Sequence, residues 1–309
     1  MLGQRVLFGG LMIVALVGLA ALDDYLAYRI AQDWPPGLMA DVGRCLLNGF
    51  VLTALVAALV VPATLELARL MRAAGHAPVV WLAAVVNAGL VAVPWLAANG
   101  VLAGGRAGSA ADFRITAAWL TVAFLAAPAV VIARRRTAGS IAAVGTTMLM
   151  VLWCGFLAAY VVRMRVWGGS AWLVLYFLLV CKSCDIGAYF TGLATGRHKL
   201  IPWLSPNKTW EGLAGGVAAA VLVATGAAYL VYSLGPARFE GWMPRAGGAA
   251  WFGLAMALVG QAGDLVESLF KRDAGAKDSG AVVPAFGGVL DIVDSPLLAA
   301  PVAWWLLVQ

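Results

Sequence analysis

The sequence predicts an all-α, polytopic integral membrane protein with about nine transmembrane helices and its N-terminus in the cytoplasm. Three observations lead there. Of 309 residues, 63% are hydrophobic and only 12% charged, with a mean hydropathy of +0.90, whereas a soluble domain carries roughly 25% charged residues. Apolar runs repeatedly approach the roughly 20 residues that cross a bilayer. Lysine and arginine are divided unevenly between alternate connections, as orientation in a membrane requires. The 36 glycines fit the same class, since glycine is more frequent in transmembrane than in soluble helices. A secreted soluble enzyme, a disordered chain and a disulfide scaffold are excluded. The net charge of +6 is no nucleic-acid signature, because the cations fall in short connections and at helix ends.

Six runs are long enough as they stand: residues 6–22, 45–65, 78–96, 115–133, 139–162 and 212–233. The first reads as an uncleaved span, since it exceeds the roughly 7–15 apolar residues of a signal peptide and no A-x-A site follows. Three shorter runs, 167–181, 248–263 and 295–309, each abut a charged, glycine-rich segment. Their helices reach spanning length only by absorbing part of it. With nine spans, 13 of the 21 lysines and arginines fall on one side, including Arg134, Arg135, Arg136, Lys208, Lys271 and Arg272. The positive-inside rule makes that side cytoplasmic. Two regions follow: 1–165, about five N-terminal membrane helices, and 166–309, a C-terminal membrane region of about four spans. The second carries cytoplasmic motif loops at 182–211 and 264–294.

Nine of the fifteen acidic residues lie between Asp185 and Asp294. The first five spans are expected to hold no acid in their interiors, and Asn48 and Asn87 there to make interhelical hydrogen bonds. Asp264, Glu267, Ser268 and Lys271 recur at helical spacing and share one face. That stripe fits either a solvated helix end with local ion pairs or part of a site. Asp291 and Asp294, again three apart, open a span where an unpaired carboxylate is expensive. Two such stripes flanking a loop point to a divalent cation. Magnesium usually takes one or two carboxylates and leaves other positions for water and phosphate, and Lys271, Arg272 and Lys277 would suit those phosphates.

The loop at 182–211 is rich in glycine, hydroxyl groups and cations, which suits phosphate; a polar linker is an equal reading of that composition. No Walker A loop occurs. Cys181 and Cys184 form a lone C-x-x-C without a second ligand pair and read as buried thiols. With only His76 and His198, a histidine-rich metal site is excluded. The sequon at Asn207, Lys208 and Thr209 has no meaning on a cytoplasmic loop.

From Ser268 to Asp294 the chain resembles the phosphatidate cytidylyltransferase (CDP-diacylglycerol synthase) family. The resemblance rests on Ser268, Lys271, Arg272, Lys277, Asp278, Gly280, Pro284, Gly287, Gly288, Asp291 and Asp294. Upstream, Asp185-x-Gly187-Ala188-Tyr189-Phe190-x-Gly192, Ser205-Pro206-x-Lys208-Thr209-Trp210-Glu211-Gly212 and Glu66-Leu-Ala-Arg69 are similar to further family elements. Ala285, Phe286 and Ile292 stand where the family commonly has glycine, histidine and arginine.

The resemblance implies transfer of a cytidylyl group from CTP to phosphatidate in phospholipid biosynthesis, with magnesium as cofactor and room in the reading for a second cation. It implies metal ligation by Asp264 and Asp291, with Glu267 and Asp294 ligating or orienting. Lys271, Arg272, Lys277 and Asp278 are the expected catalytic residues; Asp185, Ser205, Pro206, Lys208, Thr209 and Ser268 are expected to bind substrate. The roles of Asp185 and Asp278 stay open between metal, cytidine and structure. The expected partners are CTP, phosphatidate and membrane lipids, with no nucleic acid, and a homodimer is implied. Three alternatives remain at this point: another CTP-using membrane lipid enzyme, a transporter with intramembrane acids, and an inactive relative.

Overall fold

The computed structural model describes residues 2–33, 48–102, 108–135, 137–234, 246–280 and 287–308. Pro284, Ala285 and Phe286 lie outside the described residues. Among those described, nine helices are long and apolar enough to cross a membrane, and the chain is an integral membrane protein. In chain order they are α1 (Leu2–Asp33), α2 (Phe50–Ala73), α3 (Val80–Ala98), α4 (Ser109–Ala133), α5 (Ser140–Gly168), α6 (Ala171–Thr195), α7 (Trp210–Leu234), α8 (Ala246–Asp273) and α9 (Leu290–Leu307). An antiparallel hairpin, β1 (Lys199–Ile201) and β2 (Ser205–Thr209), joins α6 to α7. The three short apolar runs do absorb their polar flanks: Lys182 and Asp185 lie within α6, Asp264 to Asp273 end α8, and Asp291 and Asp294 open α9.

The chain forms two compact units, one of Met1–Ala171 with Asp273–Ile292, the other of Trp172–Arg272 with Val293–Gln309. In the first, α3 packs against α2, α4 and α5; it is apolar on every side, including the face where Trp81 and Val85 are exposed, as a helix within a membrane requires. Asn87, at its middle, donates to Thr64 Oγ1 at 2.9 Å and to Met150 O at 3.3 Å. The second bond falls where α5 loosens into a π-helical turn, Val151–Phe156, which frees carbonyls for such side chains.

The first five apolar runs hold no acid in their interiors, but their edges do. The helices run past the ends of the apolar runs and take in Asp23, Glu66 and Asp112, all buried. Arg163 and Arg165, just past the end of the apolar run 139–162, are buried in α5. Burial is compatible with charge because the groups are paired and hydrogen-bonded. Arg163 reaches Asp112 with Nε at 2.8 Å and Nη2 at 2.9 Å, Thr116 with Nη2 at 2.6 Å, and has its guanidinium carbon 4.7 Å from the Phe113 ring centroid and 4.8 Å from that of Tyr160. Trp167 Nε1 donates to the same Asp112 at 3.1 Å. Arg165 pairs with Asp23 and Asp24, and Asp24 also accepts from Ser170 Oγ and the Ala171 N–H.

In the second unit, glycine sets how closely helices approach. A Cβ on Gly187 would stand 2.5 Å from that of Ala219, and one on Gly216 would stand 2.9 Å from the Cys184 carbonyl. The glycines of α6 and α7 therefore serve helix packing. The residues read from composition as either a phosphate-holding loop or a polar linker are a helix up to Thr195 and a hairpin beyond it.

Candidate active site

In the second unit, α8 and α9 meet at Gly263, where a Cβ would stand 2.7 Å from the Asp294 carbonyl oxygen. That close crossing sets three carboxylates together. One oxygen each from Asp264, Glu267 and Asp294 lies within 4.8 Å of the other two. Glu267 and Asp294 are buried, while Asp264 is half-buried. The i,i+3 spacing along α8 puts Asp264 and Glu267 on one face, and the α9 start supplies the third acid.

Lysines stand beside them. Lys208, from β2, pairs with Asp264 and donates to Gln261 Oε1 at 2.7 Å. Lys271 pairs with Glu267 at 2.9 Å, one helical turn on. Lys182 pairs with Asp185 at 3.0 Å along α6. Asp294 Oδ1 accepts the Ser295 N–H at 2.6 Å and the Ser295 hydroxyl at 3.3 Å. The hairpin that delivers Lys208 is fastened at several points. Arg272 Nε donates to the Leu204 carbonyl at 3.2 Å, and Glu211 accepts the N–H groups of Arg197 and His198, each at 3.2 Å. Thr209 caps α7, its hydroxyl accepting the Gly212 N–H at 3.0 Å. Ser205 is half-buried and Pro206 exposed on β2, while Ser268 is half-buried on α8.

The remaining expected residues belong to the first unit. Lys277 and Asp278 are exposed. Asp291 has a task of its own, accepting the Ser279 N–H at 3.1 Å and the Gly288 N–H at 2.7 Å. Gly287 adopts φ +97°, and a Cβ there would stand 2.6 Å from Asp291 Oδ2. A side chain is thus disfavoured twice at this glycine.

Sequence reading missed Gln261 and gave Lys182 no role. Both carried a signal: Gln261 sits three residues before Asp264 and seven before Ser268 on the stripe already recognised, and Lys182 precedes Asp185 by three.

Chemically, three carboxylates in one small volume offer hard oxygen donors to a divalent cation, and the donor set fits magnesium. The adjoining ammonium groups fit phosphate oxygens. The sequence model of the Cytidylyltransferase family matches residues 37–309. The chain belongs to that family. Among its relatives are proteins named phosphatidate cytidylyltransferase. The one from Brucella suis is 46% identical over 127 residues, covering 41% of this chain and 43% of the relative. That of Chlamydia pneumoniae is 33% identical over 182 residues (56% and 57%), and that of Staphylococcus aureus 40% over 136 residues (44% and 49%). The chain spans about half the length of the relatives it matches.

Proposed function

We propose that the chain transfers a cytidylyl group from CTP to phosphatidate, giving CDP-diacylglycerol and pyrophosphate. Family membership and the relatives' names support the reaction. The observation that carries it for this chain is the cluster of Asp264, Glu267 and Asp294 with Lys208 and Lys271 on its carboxylates.

The phosphate of phosphatidate is ionised near neutral pH. Its oxygen attacks the α-phosphorus of CTP while the bond to pyrophosphate breaks, so no proton has to be removed. A missing histidine at position 286 therefore costs the reaction no general base. The demands are alignment and charge neutralisation. Asp264, Glu267 and Asp294 would hold magnesium, which when bound supplies Lewis-acid neutralisation of phosphate oxygens. Lys208 and Lys271 turn from carboxylate to phosphate as the nucleotide arrives, and Arg272 adds charge. The cationic side of the membrane is the cytoplasmic one on the lysine and arginine count, so CTP reaches the site from the cytoplasm and the lipid from the bilayer.

The test is the protein purified in detergent with labelled CTP, phosphatidate and magnesium. CDP-diacylglycerol and pyrophosphate are expected in equal amounts, with a chelator abolishing both. Product formed only with another lipid acceptor would move the substrate. No product with any, or product indifferent to the chelator, would overturn the reading.

A further inference from the structure

Gln261 stands on α8 three residues before Asp264, 8% exposed, a neutral side chain among charged ones. Its amide is used at both ends. Oε1 accepts from Lys208 Nζ at 2.7 Å, and Nε2 donates to Cys184 Sγ of α6 at 3.9 Å. The opposite amide orientation would set N–H donors against an ammonium that only donates. Cys184 is itself fixed: its thiol donates to the Ala257 carbonyl at 3.9 Å, and a Cβ on Gly216 of α7 would stand 3.0 Å from its Sγ. The acceptor oxygen of Gln261 is thus placed by the α8 backbone on one side and by Cys184, packed under α7, on the other.

Lys208 therefore has two partners of different kinds. Asp264 pairs with it as a charge, and Gln261 holds it as a dipole. An ion pair fixes an ammonium but also offsets its field, so a phosphate nearby gains less from it. A neutral oxygen fixes the ammonium and leaves its charge whole. The distinction matters once Asp264 turns to a cation. Lys208 then loses its ion pair, and its flexible four-carbon stem would have no fixed place without a second acceptor. Gln261 is that acceptor, and nothing in a change of charge at Asp264 removes it.

We propose that Gln261 is a positioning residue for the transfer reaction: it holds Lys208 through a neutral acceptor, so that the ammonium stays in the site, charged and oriented, for the phosphates of the nucleotide. Lys208 then meets them without first ordering its side chain, a cost that would otherwise fall on binding. Glutamate of the same length would hold the ammonium too, but would add a carboxylate to the cluster and offset the charge the phosphates need. This rests on the cytidylyltransferase reading, since Lys208 needs a phosphate to meet. The hold of Gln261 on Lys208 does not.

The experiment therefore has two arms, on Gln261→Leu, which keeps size without the acceptor, and on Gln261→Glu, which keeps the acceptor and adds charge. The first arm needs neither substrate nor metal: acetylation of Lys208 by an amine-reactive reagent in detergent, read by peptide mass spectrometry. Only the unprotonated amine reacts, and an acceptor favours the ammonium. Lys208 is expected to label about fivefold faster or more in Gln261→Leu. In Gln261→Glu it should label no faster than in wild type, with amide hydrogen exchange over 199–209 unchanged in both variants. A residue that merely packs α8 gives the other pattern: labelling unchanged in Gln261→Leu, equally fast in both variants, or matched by faster exchange of the hairpin. Any of these overturns the hold. The second arm is binding of CTP with magnesium, without lipid. Kd is expected to rise about tenfold in Gln261→Leu with the number of sites kept. An unchanged Kd, or a fall in the number of sites alone, as unfolded molecules would give, overturns the positioning role. A wild-type protein that binds no CTP defeats the functional reading and the positioning role with it, and the labelling arm still decides the hold.

Discussion

The two units hold charge inside a membrane protein in opposite ways. In the first, arginine is the cation: Arg163 takes Asp112 with two nitrogens of one planar fork, against two aromatic rings, at 0% exposure of both side chains. In the second, lysine is the cation, on acids gathered beyond simple pairing, with 30% of the Asp264 side chain exposed. Arginine's fork is always charged and fixes geometry; lysine is a flexible point charge that changes partners readily. On the proposed function, the difference separates an architectural use of buried charge from a chemical one. Removing one member of a fully buried pair strands the other. Removing a member of the lysine and carboxylate cluster, partly open to water, should mainly remove function.

The comparison breaks first at Arg163. Arg163→Ala leaves Asp112 buried without its main partner and is expected to cost about 3–5 kcal/mol, seen as a large drop in melting temperature in detergent. Turnover per folded molecule should stay within about twofold of wild type. A stable variant with lost turnover would place chemistry in the first unit. Arg163→Lys keeps the charge but loses the fork, and about 2 kcal/mol of stability should go with it; melting unchanged would deny that the fork matters. Gly263→Ala tests the other side. Its methyl would press on the Asp294 carbonyl and part α8 from α9 at the carboxylates. Turnover should fall about tenfold, near 1.4 kcal/mol, with a smaller loss on melting. Equal activity would mean that the close crossing does not set the cluster. Smallest of all, Phe286→His should change turnover less than about twofold, because an ionised phosphate nucleophile needs no base. A large gain would show that position 286 limits the reaction.

Much of the fold was legible because the bilayer enforces a length. Nine spans follow from apolar runs alone, and the three short runs announced that their helices must take in polar residues. Hidden in the sequence was what happens at the run edges. Asp23, Glu66 and Asp112 sit where an apolar run gives out, and their burial depends on partners as distant in sequence as Arg165 and Leu290. No local pattern encodes such pairings. At the site, helical spacing put Asp264, Glu267 and Lys271 on one face, and the structure adds Asp294 to that face. The spacing could not tell Asp294 from Asp291, since both open α9; only the N–H donors of Ser279 and Gly288 separate their tasks. Composition hid most at 182–195, which is helix and not loop. There glycine signalled close helix contact, and only the structure could distinguish that from a phosphate loop.

The central claim is that the carboxylates of the second unit do chemistry while the buried pairs of the first hold the fold. Asp264→Asn and Asp294→Asn, each assayed for CDP-diacylglycerol formation per folded molecule beside its melting curve, test it most directly. The account predicts turnover reduced about 100-fold or more, near 2.7 kcal/mol, with melting changed by only a few degrees. Near-normal turnover in either folded variant, or losses that merely follow unfolding, would contradict it.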